Sequence, residues 1–209
     1  MINKLYIYKK MYNENYTNYQ LSRNKLQKIL RELYIRPILK HIDGKTIDFG
    51  CGIGDLLRIL PDGSMGLELN KHSVNYCKNI GLTVEYYNPE EDDYFFSNIN
   101  KKDGFRTLVI SHVLEHLIDA KYILPKLVSS AKRIGIKKII IIVPGIRGFF
   151  SDPTHKIYID KTFFLVNNYQ KIDDYIIKFE RYYPINVRII GNMFKYQELW
   201  IIYENCVQN

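Results

Sequence analysis

Thr46-Ile47-Asp48-Phe49-Gly50-Cys51-Gly52-Ile53-Gly54-Asp55 decides how the rest of the chain is read. An apolar, strand-like entry runs into D-x-G-x-G-x-G, and an amphipathic run, Leu56-Leu57-Arg58-Ile59-Leu60, follows. Three glycines on alternate positions let the backbone turn tightly and approach a ligand where any Cβ would clash. A helix over Asp55–Leu60 would point its first N–H groups at that ligand. The stretch predicts a strand, a ligand-binding loop and a helix in succession.

Outward from it, strands and helices alternate. Lys45–Phe49 reads as the first strand, Ser64–Leu69 as the second, Leu82–Tyr87 as the third, Thr107–Ser111 as the fourth and Lys137–Val143 as the fifth. Helices are expected over His72–Ile80 and, with Pro125 inside, over Leu114–Ile134. Pro61-Asp62-Gly63, Gly81 and Pro144-Gly145 break the pattern where elements should end. Repetition at this spacing predicts a parallel sheet covered on both faces. The C-terminal third differs: Phe163–Phe179 reads as weakly helical, while Arg181–Ile190 and Glu198–Glu204 read as two strands joined by a turn, an antiparallel pair at one sheet edge. At the N-terminus, Lys4 to Gln20 is tyrosine-rich without helical periodicity. Leu26, Ile29, Leu30, Leu33, Ile35, Leu39 and Ile42 then recur at helical spacing, bent near Pro37. The fold class is therefore α/β, Rossmann-like and doubly wound, in a single domain over 1–209. Residues 1–43 are an N-terminal arm and helix, 44–145 a ligand-binding core, and 146–209 a loop with the C-terminal strands.

With 209 residues, 46% hydrophobic and 25% charged, the chain has the composition of an ordinary globular domain. Cys51, Cys77 and Cys206 make no metal-type spacing, and an odd, sparse set suggests a reducing cytoplasm. The longest apolar run, Ile139–Val143, is strand-sized, so no membrane span is expected. The net charge of +8 comes from scattered basic residues with no dense block. It predicts a basic surface, with a nucleic-acid partner as a second reading.

The ligand loop is not a dinucleotide fingerprint. G-x-G-x-x-G needs a third small residue where Asp55 stands, and a carboxylate there repels a pyrophosphate at the helix N-terminus. The Lys-Ser/Thr end of a phosphate loop is also missing. Asp48–Gly54 after strand one, Gly66-Leu67-Glu68 ending strand two, Ser111-His112-Val113-Leu114-Glu115-His116 after strand four and Ile140–Pro144 at strand five occur in order. In this the chain resembles the class I S-adenosylmethionine-dependent methyltransferases of the UbiE/Methyltransferase-11/23 type. The resemblance covers roughly residues 18–204. It implies that the cofactor is S-adenosyl-L-methionine, a sulfonium without phosphate, which an acidic loop suits. Asp48, Gly50, Cys51, Gly52 and Gly54 would hold its methionine part. Glu68 and neighbouring Leu69 would meet the ribose hydroxyls, Asn88 or Glu90 the adenine, and Ser111 and His112 would flank it from strand four. The implied activity is methyl transfer to a small molecule, first of all O-methylation of a sugar or glycan precursor. RNA methylation and a binding-only role are the alternatives.

His112, Glu115 and His116 spell H-x-x-E-H, an inverted zinc-protease motif. A strand end at His112 would put it off the helix carrying His116, so no metal is expected. In an open α/β sheet the acceptor lies beyond the strand ends, which the loop 144–160 reaches. There Asp152-Pro153-Thr154-His155 supplies a candidate base, His155, with Asp152 as its orienting partner. The plain alternative is a loop histidine bonded to backbone. Tyr12, Tyr16 and Tyr19 are read either as a lid or as ordinary packing.

Overall fold

The central strands carry apolar side chains on both faces, and that places two cores against one sheet. The structure, a computed structural model, describes residues 13–22 and 35–207. Strand β1 is Thr46–Phe49, β2 Met65–Glu68, β3 Val84–Tyr86, β4 Thr107–Ser111 and β5 Lys138–Pro144. Strand β6 is Lys171–Ile172, β7 Tyr175–Tyr183 and β8 Glu198–Asn205. They form one sheet in the order β3-β2-β1-β4-β5-β8-β7-β6. The first five strands are parallel, β8 runs antiparallel to β5, β7 to β8, and β6 to β7. Ile139, Ile141 and Val143 of β5 join one core with Leu108, Ile110, Leu199 and Ile201. Ile140 and Ile142 join the other with Val109, Trp200 and Ile202. Near-continuous apolar runs are what burial on both faces requires. From β1 the chain steps outward to β2 and β3, then returns to β4 on the other side of β1. The carboxyl ends of β1 and β4 flank this switch point, where open α/β sheets bind ligands.

Among the described residues, five helices accompany the sheet. Helix α1 is Glu14–Leu21, α2 Lys71–Asn79, α3 Ala120–Arg133, α4 Ile146–Phe150 and α5 Lys161–Val166. Leu124, Leu127, Val128 and Ala131 of α3 enter the first core, while Val74 and Cys77 of α2 enter the second. Pro125 inside α3 has no N–H for the Lys121 carbonyl four residues back. The Tyr169 hydroxyl donates to that carbonyl instead. Helix α1 docks on the start of α2 through polar groups. Asn70 Nδ2 donates to Asn13 O and to Thr17 Oγ1, both at 3.0 Å, and Thr17 Oγ1 lies 2.9 Å from Ser73 Oγ.

Several local expectations are corrected. Asp55–Leu60 is not an α-helix but a set of turns ending in a 3-10 turn, Leu57–Ile59. Pro61 forces Leu60 into extended backbone (φ −72°, ψ 158°), leaving too few residues for helical hydrogen bonds. Leu114–Ile134 divides into a 3-10 turn, Leu114–His116, and α3. The weak helix over Phe163–Phe179 stops at Val166; Asn168 takes a positive φ of 58°, and the aromatic and β-branched residues beyond form β7. The strand expected over Arg181–Ile190 ends at Tyr183 before Pro184, and Arg188–Asn192 is a 3-10 turn. Glu14–Leu21 is helical after all. It is capped by Asn13 and held by polar contacts, so no apolar stripe announces it. Of the predicted N-terminal amphipathic helix, Leu26, Ile29, Leu30 and Leu33 lie outside the described residues, and Arg36–His41 is a 3-10 turn with Pro37 near its start.

Ile140 has no exposed surface and sits in register between Val109 and Ile202. Ile140→Ala is expected to cost about 2–5 kcal/mol through lost burial and the residual cavity. Ile189→Ala, at a side chain 70% exposed, should stay within about 0.5 kcal/mol. Urea unfolding at constant m-value measures both.

Candidate functional site

A cavity of about 620 Å³ opens at the carboxyl ends of β1, β2, β4 and β5. Asp48, Gly50, Cys51, Gly52, Glu68, Leu69, Asn88, Ser111, His112, Asp152 and His155 all line it. Gly50 turns with φ +75°, its N–H donating to Leu67 O at 2.8 Å. Gly52 follows with φ +55° and donates its N–H to Glu68 Oε2 at 2.8 Å. The Asn70 N–H donates to Glu68 Oε1 at 2.6 Å. Burial pushes the Glu68 carboxyl up, and the amides of Asn70 and Gly52 oppose that rise. Two backbone amides thus fix a nearly buried carboxylate at the cavity wall. Each of its oxygens retains acceptor capacity.

Gly54, expected to help hold the cofactor, is not among the residues that line the cavity. Its φ is +78°, and a Cβ there would stand 2.4 Å from Leu82 Cδ1 and 3.3 Å from Cys77 Sγ. Gly54 is small so that the turn can pack against α2 and the entry to β3. Asn88 is buried, and its Oδ1 accepts from the Glu90 N–H at 3.3 Å; Glu90 lines the cavity as well. Tyr16 and Tyr19 of α1 line it too, whereas Tyr12 lies outside the described residues. Beside them stands Gln20, which the sequence reading missed. A Cβ on Gly52 would lie 3.2 Å from Gln20 Oε1, a buried acceptor without a hydrogen bond.

At the end of β4 the chain turns at His112, a non-glycine residue with φ +55°. The left-handed region disfavours side chains, and such positions cluster at functional sites. His112 lies between two carboxylates. Nε2 is 2.9 Å from Glu198 Oε1 and Nδ1 is 3.3 Å from Glu115 Oε1. Burial alone would lower its pKa, but Glu115 and Glu198 outweigh it and raise it to about 9. Glu198 arrives because β8 is antiparallel: its first residue pairs with the last of β5, Pro144. The Trp200 Nε1–H holds Glu198 Oε2 at 3.0 Å.

The far wall carries His116, Asp152, His155, Lys195, Tyr196 and Gln197. Asp152 is not bonded to the His155 ring, as had been expected. Its Oδ1 accepts from the Thr154 hydroxyl at 2.6 Å and from the Thr154 N–H at 2.8 Å. Thr154 Oγ1 is in turn 3.2 Å from His116 Nδ1, so Asp152 orients His116. Burial pushes the Asp152 carboxyl up, but the two Thr154 donors bring it below its ordinary value. Burial lowers the pKa of His116 and keeps it neutral. His155 Nδ1 lies 2.8 Å from Phe149 O, and its ring stacks on Phe149. The plain reading, a loop histidine bonded to backbone, therefore holds for one ring nitrogen.

A sequence profile of the MetW family, described as methionine biosynthesis protein MetW, matches residues 33–150. No curated protein matches the chain. Among solved structures, an S-adenosylmethionine-dependent methyltransferase from Archaeoglobus fulgidus is 22% identical, with TM-score 0.59 over 85% of this chain and 94% of that one. Magnesium protoporphyrin IX methyltransferase from Synechocystis PCC 6803, with bound S-adenosylmethionine, is 11% identical, with TM-score 0.59 over 88% and 85%. The small RNA methyltransferase HEN1 is 14% identical, with TM-score 0.60 over 90% of this chain and 26% of that one. The fold is that of the class I methyltransferases.

His112 titrates above the ordinary 6.5, so its contribution to stability is full below about pH 6.5 and is lost as pH rises through 9. NMR titration of its ring in the ligand-free protein should give a midpoint near 9. Glu198→Gln, which removes one facing carboxylate, should move the midpoint down. Gly54→Ala should lower stability by about 1–3 kcal/mol through overpacking, read from the melting curve, because its Cβ enters Leu82 and not the cavity.

Proposed function

The chain belongs to the MetW family, and on that footing we propose that it is an S-adenosylmethionine-dependent methyltransferase acting on a hydroxylated small molecule, first of all a sugar or glycan precursor. The observation that carries this reading is the charge of the cavity. The protein has a net charge of +8, yet its cavity is lined by Asp48, Asp55, Glu68, Glu90, Asp152 and Glu198. Lys195 is the one lysine or arginine among the described lining residues. Such a pocket favours a cation without phosphates. It argues against nicotinamide dinucleotides and against a polyphosphate backbone entering the pocket.

The residues present fit the cofactor. Glu68, clamped by two amides, is placed to accept from two ribose hydroxyls. The Gly50–Gly52 backbone, Asp48 and the unpaired Gln20 Oε1 suit the ammonium and methionine end. Asn88 or Glu90 would accept from the adenine amino group. When bound, the cofactor supplies an electrophilic methyl on a sulfonium leaving group. The chain must then align an acceptor hydroxyl opposite and receive its proton. His155 lies on that wall. Its Nδ1–H is fixed on Phe149 O, which leaves Nε2 as the nitrogen with a lone pair. Tyr16 and Tyr19 favour the lid reading of the N-terminal arm over plain packing, because both face the cavity.

The RNA reading draws on the HEN1 likeness and the basic surface, and the acidic cavity weighs against it. A methyl-donor assay across sugar acceptors, small phenols and bulk RNA is expected to show turnover on the first group. Calorimetry with S-adenosylhomocysteine should show binding that Glu68→Gln weakens by about 10–100-fold, the worth of charged hydrogen bonds. Absence of binding to the wild type would leave only the structural reading. His155→Ala is expected to lower kcat by about 10²–10⁴-fold while homocysteine-product affinity holds. Turnover at the wild-type rate would remove His155 from the mechanism.

A further inference from the structure

Glu115 has no exposed surface, and neither carboxylate oxygen completes a hydrogen bond. Oε1 has the His112 ring at ion-pair distance, while Oε2 has no hydrogen bond, which is costly for a buried carboxylate. Three imidazoles surround it. His112 Nδ1 approaches at 3.3 Å and His155 Nε2 at 3.8 Å, both toward Oε1, and His116 is the next residue in the chain. One potential ligand atom from each of Glu115, His116 and His155 lies within 4.8 Å of the others.

The hydrogen bonds around these histidines settle their tautomers. Phe149 O can only accept, so His155 Nδ1 carries a proton, and in the neutral ring Nε2, the atom facing Glu115, has the lone pair a metal would take. The Thr154 hydroxyl spends its proton on Asp152, so its oxygen accepts from His116 Nδ1–H. His116 therefore also keeps its lone pair on Nε2. Metal-binding histidines are held this way, with the second ring nitrogen donating to a carbonyl or, through a relay, to a carboxylate. The H-x-x-E-H run supplies two of the three groups and the loop after β5 supplies the third. His112, the first histidine of the run, has both ring nitrogens engaged, by Glu115 and Glu198.

We propose that Glu115, His116 and His155 bind one divalent transition-metal ion of the zinc class at the acceptor end of the cavity. Two imidazoles and one carboxylate are a three-protein-ligand set that leaves a coordination position open. His116 and His155 line the cavity, so that position faces the space where an acceptor would enter. A tetrahedral ion about 2.0–2.1 Å from each donor sets the donors roughly 3.3 Å apart, so the three side chains close by at most about 1.5 Å on binding. With the ion bound, His155 Nε2 serves as a ligand in place of the base role given above. The ion would help His112 balance the charge of Glu115 and would anchor an acceptor hydroxyl and increase its acidity. That role rests on the methyltransferase reading given above; the binding of the ion does not.

The test begins with protein stripped by a chelator. Titration with Co²⁺ should develop visible ligand-field absorption, and Zn²⁺ calorimetry should give one equivalent per chain. Zn²⁺ should displace Mn²⁺, and Mg²⁺ should not compete, because imidazole-rich sites follow that order. Glu115→Gln and His155→Asn should each weaken Zn²⁺ binding by at least about tenfold, and Thr154→Val by about tenfold through loss of the relay. S-adenosylhomocysteine calorimetry on the same samples reads the fold and the cofactor site separately. Failure of the wild type to take up Co²⁺ or Zn²⁺ while still binding S-adenosylhomocysteine would overturn the metal site and leave the methyltransferase reading standing. Uptake of one equivalent that survives both Glu115→Gln and His155→Asn would also overturn it. Uptake with no S-adenosylhomocysteine binding would support the metal site and remove the methyltransferase reading.

Discussion

Glu68 receives one hydrogen bond from Gly52, in the loop after β1, and one from Asn70, just past its own strand. Those two bonds tie the ends of neighbouring strands together at the switch point. They also fix the direction of the loop: Gly50 and Cys51 already donate to Leu67 O, so four amides from two strand ends converge on two consecutive residues of β2, Leu67 and Glu68. Burial raises the pKa of this carboxyl, and the amide donors oppose that rise. Asn70 in turn anchors α1 through Asn13 and Thr17. The wall formed by Tyr16, Tyr19 and Gln20 thus depends on the same few residues that shape the loop.

Much of this was legible in the sequence because it is local. Alternating strands and turns, the glycine run, and a carboxylate at the end of β2 are patterns within a few residues of one another. The parallel sheet and the antiparallel C-terminal strands followed from them, and the residues singled out in the glycine run and at the ends of β2 and β4 line the cavity in part. What escaped is non-local. Glu198 was read only as the start of a strand, since nothing nearby tells that β8 inserts beside β5 and delivers its first residue to His112. Gln20 sits on a helix held by polar contacts, so no apolar period marked it. The packing of Gly54 against Leu82 was not legible, because a glycine needed for packing and one needed for ligand approach look alike in a motif. The short turn in place of a helix at Asp55–Leu60 was readable, since Pro61 stands there, but the glycine loop suggested otherwise.

The electrostatic contrast between surface and cavity follows from the architecture. Lysines and arginines keep their charged ends in water, and they spread over the helices and loops of this chain. Six carboxylates, Asp48, Asp55, Glu68, Glu90, Asp152 and Glu198, line the cavity at the strand ends. The surface charge and the cavity charge therefore speak to different encounters. The positive exterior acts at a distance and is screened by salt within about 8–10 Å. The acidic interior acts on whatever is enclosed. A polyanion drawn to the surface would still meet Asp48, Glu68 and Asp152 on entry.

His112 links the two ends of the cavity. Its backbone N–H donates to Ile142 O, its ring spans Glu115 and Glu198, and its positive φ turns the chain from β4 toward Val113 and the 3-10 turn. A residue forced into the left-handed region costs roughly 1–3 kcal/mol and persists only where its surroundings over-determine it. Here they do, because buried Glu115 and half-buried Glu198 would lose their shared cation if the ring swung away. Glu115 then answers to His112 on one side and to the pair His116 and His155 on the other. The β4 exit is consequently a place where a change at the acceptor wall, through the charge carried by Glu115, reaches the backbone that borders the cofactor end. Neither the loop after β1 nor the loop after β5 needs to move for that coupling. It requires only that Glu115 have no exit to water, and its complete burial ensures that.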